Sequence, residues 1–404
     1  MNAARAGWLA CLCVLSSAVA AAAQRLPDEP IVLANGRVTL GGDVSATIGP
    51  SDPGFFNYTD YEHSALRMLR VDLSGLVKAG DHVSFLGEIR TENTDSVQPY
   101  ALFVRIRPWT NRNIDIQAGR LPPTFGAFAR RTYASDNPLI GYPLTYQYLT
   151  SLRPDSLPAS ADDLLRMRAR GWLSNFLIGN TTPDHGVPVV NAFRWDTGVQ
   201  VHAASQVFDG TVSVTTGTLS NPLVRDDNPG KQVAGRFTAR PLPGLVAGVS
   251  LARGPFVTTT AARGAVGDGH TGDFTQDAWG ADVEYSRGHY LLRFETVTSR
   301  WTLPMVRAPF ITDPLSSTGT SIEGRYRLRP GLYVAGRVDH LGFSEVHGST
   351  RTLAWDAPVT RYEVGAGYSI QRNLLLKVEY QHDSRDAGLA HTANPVAAQL
   401  VFWF

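Results

Sequence analysis

The chain has 404 residues and is close to neutral, with 37 Lys and Arg against 36 Asp and Glu, which excludes the basic excess of a nucleic-acid binder. Its two cysteines, Cys11 and Cys13, both lie in the N-terminal leader, so the rest offers no disulfide framework, thiolate nucleophile or Cys-ligated metal. No long apolar segment follows the leader, which excludes a helical membrane protein.

The leader reads as a secretory signal peptide, residues 1–23. Arg5 gives it a positive start, Trp8 to Val19 an apolar run too short to span a bilayer, and Ala20 to Ala23 small residues for cleavage before Gln24. A lipid-modified Cys11 would leave almost no apolar run in front of it. Residues 24–36 are expected to be a short periplasmic segment.

From Arg37 the sequence alternates with period two, the mark of strands. Val38, Leu40, Val44, Ala46 and Ile48 share one face, with Thr39, Asp43, Ser45 and Thr47 on the other. Leu69, Val71 and Leu73 then oppose Arg70 and Asp72; Val83, Phe85 and Ile89 oppose Glu88 and Arg90. Tyr100, Leu102, Val104 and Ile106 oppose Arg105 and Arg107, and Ile114 and Ile116 oppose Asp115 and Gln117. Residues 121–194 show no such pattern. Alternation resumes at Val199 and is repeated in segments beginning near Val212, Val233, Leu245, Trp279, Tyr290, Ile322, Leu332, Tyr362, Leu374 and Val396. The last ends V-A-A-Q-L-V-F-W-F, with Val396, Ala398, Leu400, Phe402 and Phe404 on one face.

Two regularities decide between a secreted sandwich and a membrane barrel. Charges keep to one parity through the strand middles, with aromatics near the strand ends on the other, as expected where rings collect at membrane interfaces. Connections after even-numbered strands are short, as at Gly80, Asn111, Asp209, Pro243, Gly288, Pro330 and Arg372. Those after odd-numbered strands are mostly long, with the connection near Thr94 a short exception. A sandwich has no reason to sort its loops in this way, whereas outer-membrane barrels do. The expected fold is therefore all-β: a transmembrane antiparallel β-barrel of about 16 strands over residues 37–404.

The aromatic C-terminal strand resembles the closing strand of outer-membrane barrels, in which a terminal Phe, here Phe404, is part of the assembly signal. The long region 121–194 opens Arg120-Leu121-Pro122-Pro123-Thr124-Phe125-Gly126. In this the chain resembles the sixteen-stranded general porins, whose third outer loop follows the fifth strand, begins with a Pro-Glu-Phe-Gly element and folds inward to narrow the pore. Pro123, Phe125 and Gly126 match that element, and Thr124 stands where the acid would be. Phosphate-selective porins are a related comparison, but lysine occurs only at Lys78, Lys231 and Lys377, so phosphate selectivity is not supported. The resemblance implies a water-filled channel in the cell outer membrane for passive diffusion of small hydrophilic solutes. Its implied partners are outer-membrane lipid and lipopolysaccharide, the barrel assembly machinery and, in a homotrimer, two further copies.

Within the long region, Asp162 to Arg170 reads as a short helix with Asp162 and Asp163 at its start, where the helix dipole favours acids. Arg153, Arg166, Arg168 and Arg170 outnumber the neighbouring Asp155, Asp162 and Asp163, which suggests a weakly anion-preferring constriction. The bland alternative is that these arginines bond to the loop backbone or pair with those acids. Arg105 and Arg107 on the fourth strand and Arg325 and Arg327 on the twelfth are candidate pore-lining residues on opposite walls; cross-strand pairing with Glu323, Asp282 or Asp115 is the alternative. The ten histidines are scattered and form no zinc-protease pattern, and no phosphate loop or nucleophile elbow is present. His382-Asp383-Ser384 are sequence neighbours, which rarely converge as a triad. Neither enzyme activity nor a cofactor or metal is expected. A barrel plugged by its own loop, with a structural or adhesive role, is the principal alternative, and an outer-membrane hydrolase the lesser one.

Overall fold

The computed structural model describes residues 27, 29–59, 63–228, 230–268 and 272–404, so the expected signal peptide, residues 1–23, lies outside the described residues. Sixteen long strands form the wall. In chain order they are β1 (Val38–Ile48), β2 (Leu69–Lys78), β3 (Val83–Glu92), β4 (Val97–Ile106), β5 (Asn113–Leu121), β6 (Asp196–Ala204), β7 (Phe208–Thr215) and β8 (Gln232–Leu242). The second half comprises β9 (Leu245–Pro255), β10 (Thr275–Arg287), β11 (Tyr290–Trp301), β12 (Leu315–Arg329), β13 (Leu332–Phe343), β14 (Val359–Gln371), β15 (Leu374–Arg385) and β16 (Val396–Trp403). Each pairs antiparallel with its neighbours in sequence, and β1 pairs with β16 from Asp43↔Trp403 to Ile48↔Ala398, which closes the ring. Closure leaves no edge strand with unpaired backbone groups, the condition for a sheet to cross lipid. Residues 31–33 add a short strand paired to the start of β1.

The loops sort as their lengths suggest. Two-residue turns join β8 to β9, β10 to β11, β12 to β13 and β14 to β15 at one end. Gly288 and Gly331 take left-handed φ values of 57° and 79° there, which hairpin turns require. The long connections, 122–195 the longest, leave from the other end.

The apolar parity faces outward. Val212, Val249, Leu251, Leu292, Ile322 and Val364 are all exposed, while Arg70, Asp72, Arg337, Glu363 and Lys377 on the other parity are buried. Phe85, Phe208, Phe237, Tyr290, Tyr326 and Tyr368 form an outward aromatic belt near the short-turn end. The inverted burial, with polar residues inside and aliphatic ones outside, is that of a barrel in lipid.

One face assignment changes. The register of β3 against β4 shifts beyond Glu88↔Ala101, so that Ile89 pairs with Pro99. The bulge turns Tyr100 inward, away from the lipid face expected from its parity with Leu102 and Val104. There Tyr100 is fully buried, its hydroxyl 3.2 Å from both Thr132 Oγ1 and Ala192 O. A bulge re-aims a side chain in this way without ending the strand.

Candidate functional site: the lumen and its loop

The segment 122–195 enters the barrel and is bonded to its inner wall. Phe125 is fully buried beside Gly280 of β10, where a side chain on the glycine would crowd the ring. Gly126, at φ 79°, lies so close to the Tyr146 hydroxyl that any side chain would collide with it. Its N–H donates to Ser250 Oγ on β9 at 3.1 Å, and Ala127 N–H donates to Glu295 Oε1 on β11 at 2.6 Å. The Tyr146 hydroxyl donates to the same Glu295 oxygen at 2.6 Å. Burial first, and then the adjacent Glu295 carboxylate, push the Tyr146 pKa well up, so its hydroxyl remains a protonated donor.

The same segment is tied to the far wall. The Tyr133 hydroxyl donates to Glu88 Oε2 on β3 at 2.6 Å, and Ser135 N–H to Asp43 Oδ2 on β1 at 3.1 Å. Lys377 Nζ on β15 donates to Ala134 O at 2.6 Å and to Leu139 O at 3.3 Å. Glu379, also on β15, accepts from the Ile140 and Gly141 N–H groups. Arg361 on β14 donates to Tyr142 O at 3.3 Å, to Gln147 Oε1 at 3.1 Å and to Phe56 O of the first long loop at 2.8 Å. Arg70 on β2 donates to the Tyr142 hydroxyl at 2.7 Å. In a ring of sixteen, β3 and β11 stand eight strands apart, so the segment bonded to both crosses the lumen. Around these bonds lies the largest apolar cluster, in which Phe128, Tyr142 and Leu144 of the loop meet Ala234, Ala278 and Val297 of the wall.

The distal part of the loop packs at the long-loop end, and its charges are mostly spent there. Helix α1 (Ala161–Arg166) starts at Ser160, whose side chain accepts from Asp163 N–H at 3.3 Å. It is shorter than the expected 162–170 segment. Arg153 is buried, bonded to Asp155 at 2.9 Å and to the carbonyls of Ser174 and Thr182. Arg166 pairs with Asp163 at 2.8 Å, and Arg168 with Asp386 at 2.8 Å. Asp162 accepts from Ser349 N–H at 2.9 Å, in the loop between β13 and β14. Arg170 is exposed. The charges of Arg153, Arg166 and Arg168 are thus neutralised by ion pairs, because each of these three side chains reaches an acid, which leaves the basic excess of this stretch to exposed Arg170. On the wall, Arg107 pairs with Asp115 at 2.6 Å just beyond the end of β4. Arg105 is half-buried, Arg325 lies with its guanidinium 5.7 Å from the Tyr333 ring centre, and Arg327 is exposed.

The wall carries buried ion-pair groups of its own, of which Arg361 and Arg70 also reach the loop. Buried Arg337 bonds to Glu323, Asp339 and Glu363 at 3.2, 3.1 and 2.6 Å, and Arg361 to Asp383 at 2.6 Å. Arg70–Glu92 and Arg90–Asp72, both at 2.5 Å, form a second group across β2 and β3. Their inward parity is evident from the sequence; which of them meet the loop depends on where the loop folds, which local pattern does not specify. His382-Asp383-Ser384 do not converge: His382 Nδ1 bonds to Asn394 Oδ1 at 2.7 Å, whereas Asp383 faces inward to Arg361.

No protein-family model matches the sequence, and no curated protein matches it. Solved structures do. The anion-selective porin of Comamonas acidovorans aligns at TM-score 0.53 and 11% identity, over 91% of this chain and 99% of that one. The OmpF protein of Salmonella typhi, solved with daunomycin, aligns at TM-score 0.56 and 11% identity, over 91% and 97%. The outer membrane channel DcaP of Acinetobacter baumannii aligns at 0.50 and 12% identity, over 92% and 99%. The fold is that of the porins. At these identities the likeness speaks for the architecture alone.

Proposed function

We propose that this protein is an outer-membrane channel of porin type for small hydrophilic solutes or ions, narrowed by its third outer loop. The observation that carries the reading is the tethering of residues 126–146 to strands eight apart, which supports a loop lying across the path of a solute. The porin-like architecture, the outward aliphatic face and the aromatic belt support an outer-membrane location, with the short turns toward the periplasm. Fractionation, together with faster gel migration of unboiled protein, tests that location; recovery mainly as soluble protein would refute it. A homotrimer is the proposed assembly, read by cross-linking in detergent. The pairing of Arg153, Arg166 and Arg168 with acids argues against an anion preference from these three, so a weak one would rest on exposed Arg170.

The second reading is a barrel closed by the same loop. The apolar cluster between loop and wall favours it, since a water-filled passage has no need of a dry interior. Planar-bilayer recording separates the two: small steps in the wild type support the narrowed channel, and silence supports the closed barrel.

A further inference from the structure

The space left at the short-turn end of the lumen has the chemistry of a binding site. A cavity of about 440 Å³ lies among Asp43, Asp72 and Glu88 of the wall, with Phe103, Trp195 and Trp403 beside them. That volume is within the roughly 300–1,000 Å³ of small-molecule sites. The three carboxylates are only 6%, 2% and 8% exposed. Each has one oxygen satisfied: Asp43 Oδ2 by Ser135 N–H at 3.1 Å, Asp72 Oδ1 by Arg90 Nε at 2.5 Å, and Glu88 Oε2 by the Tyr133 hydroxyl at 2.6 Å. The other oxygens, Asp43 Oδ1, Asp72 Oδ2 and Glu88 Oε1, are buried without a hydrogen-bond partner. Buried acceptors left in this state are costly, and a donor entering the cavity would satisfy them.

The charge balance points the same way. Asp43 and Asp72 are direct cross-strand neighbours, an arrangement that repels unless a cation lies near. Arg90 is bonded to Asp72, with its guanidinium 3.6 Å from the Tyr100 ring centre, and Lys377 spends its donors on the Ala134 and Leu139 carbonyls. Three acids thus face Arg90, already bonded to Asp72, and Lys377, turned to backbone, while nearby Arg70 is paired with Glu92. Among the described residues, no group of three or more His, Cys, Asp or Glu is placed to hold a metal ion. The aromatic side chains suit a ring, and their faces attract an organic cation. Trp195 is held in place against Tyr100 and Phe103, at centroid distances of 4.9 and 6.5 Å.

We propose that Asp43, Asp72 and Glu88, with the aromatic wall around Trp195, form a binding site for a small organic cation, an ammonium or guanidinium carried on an apolar or aromatic body. The site is distinct from the arginines of the long loop, and it does not require that the barrel conduct.

The test is equilibrium binding to the folded barrel in detergent, followed by calorimetry and tryptophan fluorescence, with 2-phenylethylammonium as the probe. Its anionic analogue 3-phenylpropionate and the ringless ethylammonium serve as comparisons. The expected result is saturable binding of the probe, at least about tenfold tighter than either comparison, and weakened about tenfold by Glu88→Gln or Asp43→Asn. Unboiled gel migration shows whether each variant is folded. Equal binding of cation and anion, or no saturable binding of the cation, would overturn the proposal even if neither variant folds. Unchanged binding in a folded Glu88→Gln, Asp43→Asn double variant would overturn it as well. Conductance enters none of these readouts, so a silent barrel leaves the test intact.

Discussion

At the scale of single residues, the barrel's stability depends on which parity faces lipid. Val364, on β14, is 58% exposed on the outward face. Val364→Arg should cost about 2–4 kcal/mol, the penalty for a charge near the bilayer midplane. Arg105→Ala, on the inward face, should fold normally. Unfolding titrations in lipid check both; a silent Val364→Arg beside an unfolded Arg105→Ala would reverse the faces. Arg361 is a different case, because it is fully buried and joins Asp383 to three backbone or side-chain acceptors. Arg361→Ala leaves Asp383 charged and unpaired, at an expected cost of about 3–5 kcal/mol. Adding Asp383→Asn should restore part of that stability, and a double-mutant cycle without coupling would show that the pair does not bind the loop to the wall.

At the scale of elements, the strands were legible because one physical rule writes them: a wall with lipid on one side must alternate. All sixteen were expected, and so was the sorting of short turns and long loops. Tyr100 was misplaced because a bulge shifts parity without any change in composition. The long loop was legible as an anomaly, through its length and its apolar middle around Leu139, Tyr142 and Tyr146. Its partners were not, because Arg361, Glu379 and Glu295 lie more than a hundred residues away and only folding brings them to it. The loop arginines show the same limit: their number is visible in sequence, but the pairing of Arg168 with Asp386 is not. Changing the three pairs together, Arg153, Arg166 and Arg168 to Ala and Asp155, Asp163 and Asp386 to Asn, should therefore loosen the loop and leave the reversal potential under a salt gradient nearly unchanged. A marked shift toward cations, larger at low salt where screening is weak, would mean that these arginines do face the conduction path.

At the scale of the whole molecule, the barrel and its loop form one packed unit. The wall supplies inward charges, and the loop supplies backbone donors, tyrosine hydroxyls and an apolar cluster, so the lumen is an interior as much as a passage. A cavity with acidic and aromatic groups remains at the short-turn end. The central claim is that residues 126–146 cross the lumen and set its aperture. The most direct measurement is single-channel conductance in planar bilayers at fixed salt, comparing the wild type with a variant in which residues 133–190 are replaced by a short Gly-Ser linker. Small steps are expected in the wild type and steps several-fold larger in the variant. Equal conductance in two folded proteins would contradict it, because the loop would then lie outside the path.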